Sequence, residues 1–347
     1  MTIARRGAYL HPNLDYLRAF AVLCVVGSHW CESMGWLERL SKLFGGTQLG
    51  HTGVLLFFVH TSCVLMMSLE RLPPANGWQT TLRFYVRRAF RIYPLSTVTL
   101  CLVLFFHFPS YMGNNFSPPT WLILVTNFTL TQNLFDHRLL LFPMWSLPLE
   151  LQMYLVLPLF YFGIKKVGPG RAPQFVLLCW VTAVALIQSR LDVYFKPVEW
   201  ILYWPCFIAG IFAYTQWSRR RAILPWPTWP VFLFSICYAF QPRQPLLIFG
   251  GCLILGALLP WFREIDNRPL NQITSWIARY SYAIYLIHVP IFHFFFWEKP
   301  VLPTAMANLA ALSSLGFLSW LLYHLIERPM IALGVRLTEP NPKKLAR

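Results

Sequence analysis

Stretches of about 20 mostly apolar residues recur along the whole chain, and that is the length an α-helix needs to cross about 30 Å of hydrocarbon. They lie near 13–31, 50–69, 92–109, 147–164, 172–189, 197–217, 226–240, 244–262, 274–297 and 303–327. A segment in lipid must satisfy its backbone groups internally, so such runs fold as helices. The expected fold is all-α, a polytopic transmembrane helical bundle of about ten spans forming a single membrane domain over 1–347. The stretch from Pro119 to Phe135 is apolar but short and rich in Thr and Asn. It reads as a re-entrant or interfacial helix, not as an eleventh span.

Composition narrows the class. The chain is 56% hydrophobic and only 12% charged, whereas about 25% of residues are charged in an ordinary globular domain. Disorder, a coiled coil and most soluble enzymes are excluded. The remaining charge is lopsided, +16 at pH 7. A nucleic-acid partner is not needed to explain it, because membrane proteins collect Lys and Arg in short cytoplasmic loops. With the N-terminus inside, 20 of the 29 basic residues fall on the cytoplasmic side. Seven fall outside, while Arg18 and Arg279 lie within spans or at their edges. An even number of spans with both termini cytoplasmic follows, ending in a cytoplasmic tail over 330–347. Counting 119–135 as a span would place the later Arg-rich segments outside.

The segment Met1–Pro12 is short and basic and runs into the first apolar stretch, so no secretory leader is expected. The cysteines at 24, 31, 63, 101, 179, 206, 237 and 252 lie on or beside apolar runs without C-x-x-C spacing, and read as small buried hydrophobes. The histidines at 51, 60, 107, 137, 293 and 324 make no i, i+3 or i+4 pair with another ligand, so no metal site is expected.

Titratable side chains at membrane depth cost from about 2.5 kcal/mol upward and so carry functional hypotheses. In LDYLRAFAVLCVVGSHW, Arg18 and His29 are eleven positions apart. That is about three turns and roughly 16 Å of rise, so the two share one helix face at different depths. The bland account is an Arg that snorkels to the inner headgroups and a His that caps against a loop. In TLRFYVRRAFRIYP, Arg88 and Arg91 are three apart and would project together toward a phosphate, or serve as ordinary positive-inside charge. In MWSLPLELQMYLVLP, Glu150 could orient a histidine, pair with an arginine, or cap a helix start near Pro148. In ARYSYAIYLIHVPIF, Ser281, Tyr285 and His288 face one way with Tyr282 beside them. Glu327-Arg328-Pro329 closes the last span, where a proline stop and a snorkelling pair are the simple reading.

Taken in order, these stretches resemble the acyltransferase 3 family of multi-pass membrane acyltransferases. LDYLRAFAVLCVVGSHW matches its R-x10-H first helix, TGVLLFF its Gly-Val-x-x-Phe-Phe helix and RRAFRIYP its R-x-x-R loop. WSLPLELQMYLVLP, SYAIYLIHVPI and IERP match the three later motifs, so the motif-bearing region runs over 14–329. The resemblance implies an O-acyltransferase that moves an acyl group, acetyl in the first place, from cytoplasmic acyl-CoA to a hydroxyl of a surface polysaccharide or glycolipid. It implies His29 as catalytic base or transient acyl carrier, Arg18 as its partner, and Arg88 and Arg91 as holders of the CoA phosphates. Glu150 and His288 would line the pore, with Ser281, Tyr282 and Tyr285 as further lining candidates. No permanently bound cofactor is implied. The expected setting is the inner membrane, with the lipid bilayer, acyl-CoA and a glycan acceptor as partners and no nucleic acid.

Two departures stand out. Where the family carries F-F-V-x-S-G, this chain has Phe57-Phe58-Val59-His60-Thr61-Ser62, so a glycine is lost and a histidine gained. The doubled acid common after W-S-L is reduced to Glu150 followed by Leu151. No fused esterase-like domain is expected, and a separate periplasmic partner is expected in its place. The alternative from another class is a transporter or flippase using Arg18, His29 and Glu150 as a relay. Secondary transporters carry paired halves with broken helices, and no such repeat shows here.

Overall fold

The computed structural model describes residues 11–36, 49–112, 114–189, 201–219, 222–240, 244–297 and 303–339. Of the charges counted above, Arg5, Arg6, Arg39, Lys42, Arg190, Lys196, Arg220, Arg221, Arg243, Lys299, Lys343, Lys344 and Arg347 lie outside the described residues. The described chain is all-helical, with no strand among the described residues and a single isolated bridge between Leu224 and Phe262. In chain order the helices are α1 Pro12–Ser33, α2 Leu49–Glu70, α3 Gly77–Phe105, α4 Trp121–Phe128, α5 Ser146–Gln188, α6 Trp204–Trp217, α7 Thr228–Ala239, α8 Pro245–Leu258, α9 Arg268–Phe296, α10 Thr304–Leu322 and α11 Arg328–Thr338. Among the described residues, four helical stretches are long and apolar enough to cross a membrane: Leu49–Glu70, Gly77–Phe105, Phe142–Gln188 and Thr304–Thr338.

Three local outcomes refine the sequence reading. The runs 147–164 and 172–189 are joined in α5, which breaks at Gly168. That residue has φ 80° and ψ 163°, a backbone conformation open to glycine and strained for any side chain. The 119–135 stretch holds only the eight-residue helix α4 and a short 3₁₀ turn at Gln132–Leu134. Eight residues rise about 12 Å, less than half the hydrocarbon thickness, so α4 does not span. The third outcome is a correction, because the last apolar run does not stop at Pro329. One π-helical turn, Tyr323–Glu327, leads directly into α11, whose first turn holds Pro329. Proline has no N–H to donate, and the π turn directly before it is where the continuous helix accommodates that missing bond. Residues 330–338 therefore continue a packed helix and are not tail.

The contacts divide the chain into two compact units. The first comprises Met1–Val64 and Val167–Tyr285. Its α1 and α2 approach closely, since a Cβ at Gly53 would stand 2.5 Å from the Ala21 carbonyl oxygen. Small residues at membrane helix contacts allow such approach. The start of α1 is tied to the 263–265 segment through buried Asn13. Its amide donates to the Arg263 carbonyl at 3.0 Å and accepts from the Ile265 N–H at 3.1 Å, while its own N–H donates to Glu264 Oε2 at 3.1 Å. The glycine missing at position 62 is supplied from the other side of the contact. Ser62 turns its hydroxyl onto the Phe58 carbonyl at 2.8 Å, and the facing residue on α6 is Gly210, where a Cβ would collide with Val59 O and Ser62 Oγ.

The second unit comprises Leu65–Lys166 and Leu286–Arg347. Here α11 packs on α3: a Cβ at Gly334 would stand 2.8 Å from the Phe90 side chain, and Arg87 Nε donates to Thr338 Oγ1 at 2.7 Å. The segment after α4 is held by fully buried Asn127, whose amide donates to the Ile123 and Arg138 carbonyls, both at 2.9 Å, and accepts from Leu140 N–H at 3.0 Å.

Candidate active site

Within the first unit, Arg18 and His29 stand on one uninterrupted helix, α1, as their spacing requires. Arg18 Nε donates to Ser281 Oγ at 2.6 Å, and the Ser281 hydroxyl in turn donates to the Ala278 carbonyl at 2.8 Å. Ser281 is completely buried, so this chain of hydrogen bonds fixes the guanidinium where water does not compete. One turn earlier Asp15 accepts a hydrogen bond from Ser275 and feels both Arg18 and Arg279. Tyr285, one turn past Ser281, is buried and sets its ring edge-to-face with Phe57, the centroids 6.3 Å apart. Tyr282 is half-buried on the adjoining flank.

His29 lies near the far end of α1 with its side chain 12% exposed, and its Nδ1 faces Glu32 Oε2 at 3.4 Å. At that distance the carboxylate acts on the ring electrostatically, which biases the imidazole orientation and leaves the other nitrogen for chemistry. The sequence reading offered Glu150 for that task and passed over Glu32. The i, i+3 spacing of His29 and Glu32 was the available signal. Asp15 was missed in the same way, at i−3 from Arg18.

The remaining predicted residues belong to the second unit. Tyr154 OH donates to Glu150 Oε2 at 2.9 Å, and Arg88 and Arg91 are both within electrostatic reach of this Tyr154. The Arg88 guanidinium also lies over the Phe84 ring, 5.8 Å from its centroid. Arg91 forms an ion pair with Glu327, whose carboxylate is wholly buried in the π-helical turn. Single π turns occur often at functional positions, because they re-aim a side chain without ending the helix. The contact described for Glu150 is thus with Tyr154, a partner the sequence reading did not offer. The snorkelling pair expected of Glu327 and Arg328 is replaced by the inward pair with Arg91, while Arg328 is exposed. His288 is fully buried with its ring against Phe292, centroids 6.1 Å apart.

A family model for an acyltransferase domain, of the acyltransferase 3 type, matches the chain over residues 11–324. The chain belongs to this acyltransferase family. It is 30% identical over 320 residues to the acyltransferase MdmB of Streptomyces mycarofaciens, covering 82% of this chain and 79% of that protein. It is 26% identical over 339 residues to the peptidoglycan O-acetyltransferase OatA of Listeria monocytogenes, covering 86% of this chain. The match spans 51% of that relative's length, so this chain corresponds to about half of it. No solved structure matches the chain. Membership makes this an acyltransferase and sets the transporter reading aside.

Proposed function

We propose that this acyltransferase is an inner-membrane O-acetyltransferase that moves an acetyl group from cytoplasmic acyl-CoA to a hydroxyl of a surface polysaccharide or glycolipid. The observation that carries the reading is the His29–Glu32 pair on the helix that also bears Arg18. The name of the Listeria relative supports an ester-forming reaction on a cell-wall glycan. Apolar helices and the inward bias of basic residues support a multi-pass protein of about ten spans with cytoplasmic ends.

In this mechanism Glu32 holds the imidazole through Nδ1, leaving Nε2 to take the proton of the acceptor hydroxyl. The hydroxyl oxygen forms a bond to the thioester carbonyl carbon. As the tetrahedral intermediate collapses, the C–S bond breaks, the electron pair leaves on sulfur, and the imidazolium returns its proton to give free CoA thiol and the ester. A transient acyl-His29 would run the same balance in two steps. Arg18, fixed by Ser281, supplies positive charge along the helix face that leads to His29. Arg88 and Arg91 hold donor phosphates, with Glu327 fixing the Arg91 side chain. Tyr282 and Tyr285 are lining candidates in the first unit and Glu150 and His288 in the second, and a separate periplasmic partner can present the acceptor.

The test follows labelled acetyl from acetyl-CoA into surface polysaccharide in cells carrying wild type, His29→Ala or Glu32→Gln. Transfer should vanish in the first and fall about 10- to 100-fold in the second, as expected for losing a base and its orienting group. Undiminished transfer by correctly inserted His29→Ala would falsify the assignment.

A further inference from the structure

His60, the histidine gained in the second-helix motif, has no role in the mechanism above. It lies on α2, only 3% exposed, and its Nδ1 is buried without a hydrogen-bond partner among the described residues. Buried polar side-chain atoms are paired in the large majority of cases, and one left alone costs about 1–3 kcal/mol. A leucine would be the more stable choice for packing alone, so the lone nitrogen points to something that binds there.

The surroundings say what kind of group that is. Phe57 and His60 are one turn apart on α2, while Tyr285 and Ser281 are one turn apart on α9. Phe57 meets Tyr285, and Arg18 Nε donates to Ser281. The Arg18 guanidinium is also close enough to act electrostatically on His60. Stepping along either helix from the aromatic contact therefore leads to Arg18. The guanidinium donates and a neutral imidazole nitrogen donates or accepts with its tautomer, so a ligand amide, which carries both an acceptor carbonyl and a donor N–H, is complementary to the pair. Arg18 sits about three turns, roughly 16 Å, along α1 from His29. A donor that enters from the cytoplasmic end and reacts at His29 must lay its arm along this stretch.

We propose that His60 is a binding residue for the acyl donor, holding with Arg18 an amide group of the donor's arm. This rests on the acyl-CoA reading above. The test measures binding to the purified full chain in detergent with two probes, acetyl-CoA and adenosine 3′,5′-bisphosphate, which lacks the arm. His60→Leu should weaken acetyl-CoA about tenfold, the usual cost of one lost hydrogen bond, and leave the bisphosphate unchanged. His60→Asn, which keeps a polar atom near the Nδ1 position, should recover most of the loss, and His60→Gln should not. An unchanged acetyl-CoA Kd in His60→Leu, or an equal loss for both probes, overturns the proposal. If His60→Leu fails to insert, the Asn and Gln variants decide, and equal acetyl-CoA affinities overturn it. Wild type that binds neither probe removes the acyl-CoA reading itself, whereas wild type that binds both with His60→Leu unaffected removes only the role of His60.

Discussion

Replacing Glu327 with alanine leaves the Arg91 guanidinium facing the space of a carboxylate that is wholly buried. Breaking a buried ion pair by removing one partner costs about 3–5 kcal/mol, because the surviving charge remains desolvated without compensation. The Arg91 side chain is 22% exposed and can recover some hydration, which places the expected loss near the lower limit, about 3 kcal/mol. At roughly 2 °C per kcal/mol for a chain of this size, the melting temperature in detergent should fall by about 6 °C. Arg91→Ala should cost less than Glu327→Ala, since the carboxylate it strands can be neutralised by a proton. The double variant Arg91→Met plus Glu327→Leu removes both charges and keeps apolar volume, and should regain most of the lost stability. Activity should stay low in the double variant if Arg91 also binds donor phosphate. The measurement is the thermal unfolding midpoint of the four purified proteins. Equal midpoints for wild type and Glu327→Ala, or a double variant less stable than both singles, would refute the buried-pair argument.

Other consequences follow from single contacts. Asn13→Ala strands the buried Ile265 N–H and the Arg263 carbonyl. It should cost about 2–4 kcal/mol and speed proteolysis of the 263–265 segment, read by limited trypsin digestion. Gly210→Ala drives a Cβ into Val59 O and Ser62 Oγ. It should lower the melting temperature, and Ser62→Gly should restore only part of it because the Val59 carbonyl contact remains. Gly168→Ala places a side chain at φ 80° and should destabilise by about 1–2 kcal/mol, with no change in the KM for acetyl-CoA if the break in α5 is purely structural. Ser281→Ala removes the acceptor for Arg18 Nε. It should lower kcat by about tenfold in the acetyl-transfer assay, with Ser281→Thr, which keeps the hydroxyl, closer to wild type.

Much of the architecture was legible in the chain because one physical requirement dominates it. Backbone groups in hydrocarbon must bond within their own segment, so apolar length alone announces helices. Helical periodicity likewise placed Arg18 and His29 on one face before any coordinates. The limits were local. The break in α5 was marked by Lys165, Lys166 and Gly168-Pro169-Gly170 in the gap between the runs 147–164 and 172–189, whereas Pro329 looks the same whether it ends one helix or opens the next. Glu32 and Asp15 were overlooked because each lies one turn from a more conspicuous residue, although the i, i+3 rule would have found both.

The pairings across long separations belong to the tertiary structure. Arg18 meets Ser281 across 263 positions, Asn13 meets the 263–265 segment, and Arg91 takes Glu327 in place of any nearer carboxylate. No periodicity encodes such choices. A charge in a low-dielectric interior is satisfied by whichever partner packing brings within a few ångströms, and packing is decided by how small residues such as Gly53 and Gly210 let helices approach. Apolar length and helical period thus settled the membrane-helix character and the shared face of Arg18 and His29. Close packing alone settled which side chains hold Arg18 and Arg91, and which buried polar atoms, His60 Nδ1 among them, were left without a hydrogen-bond partner in the described structure.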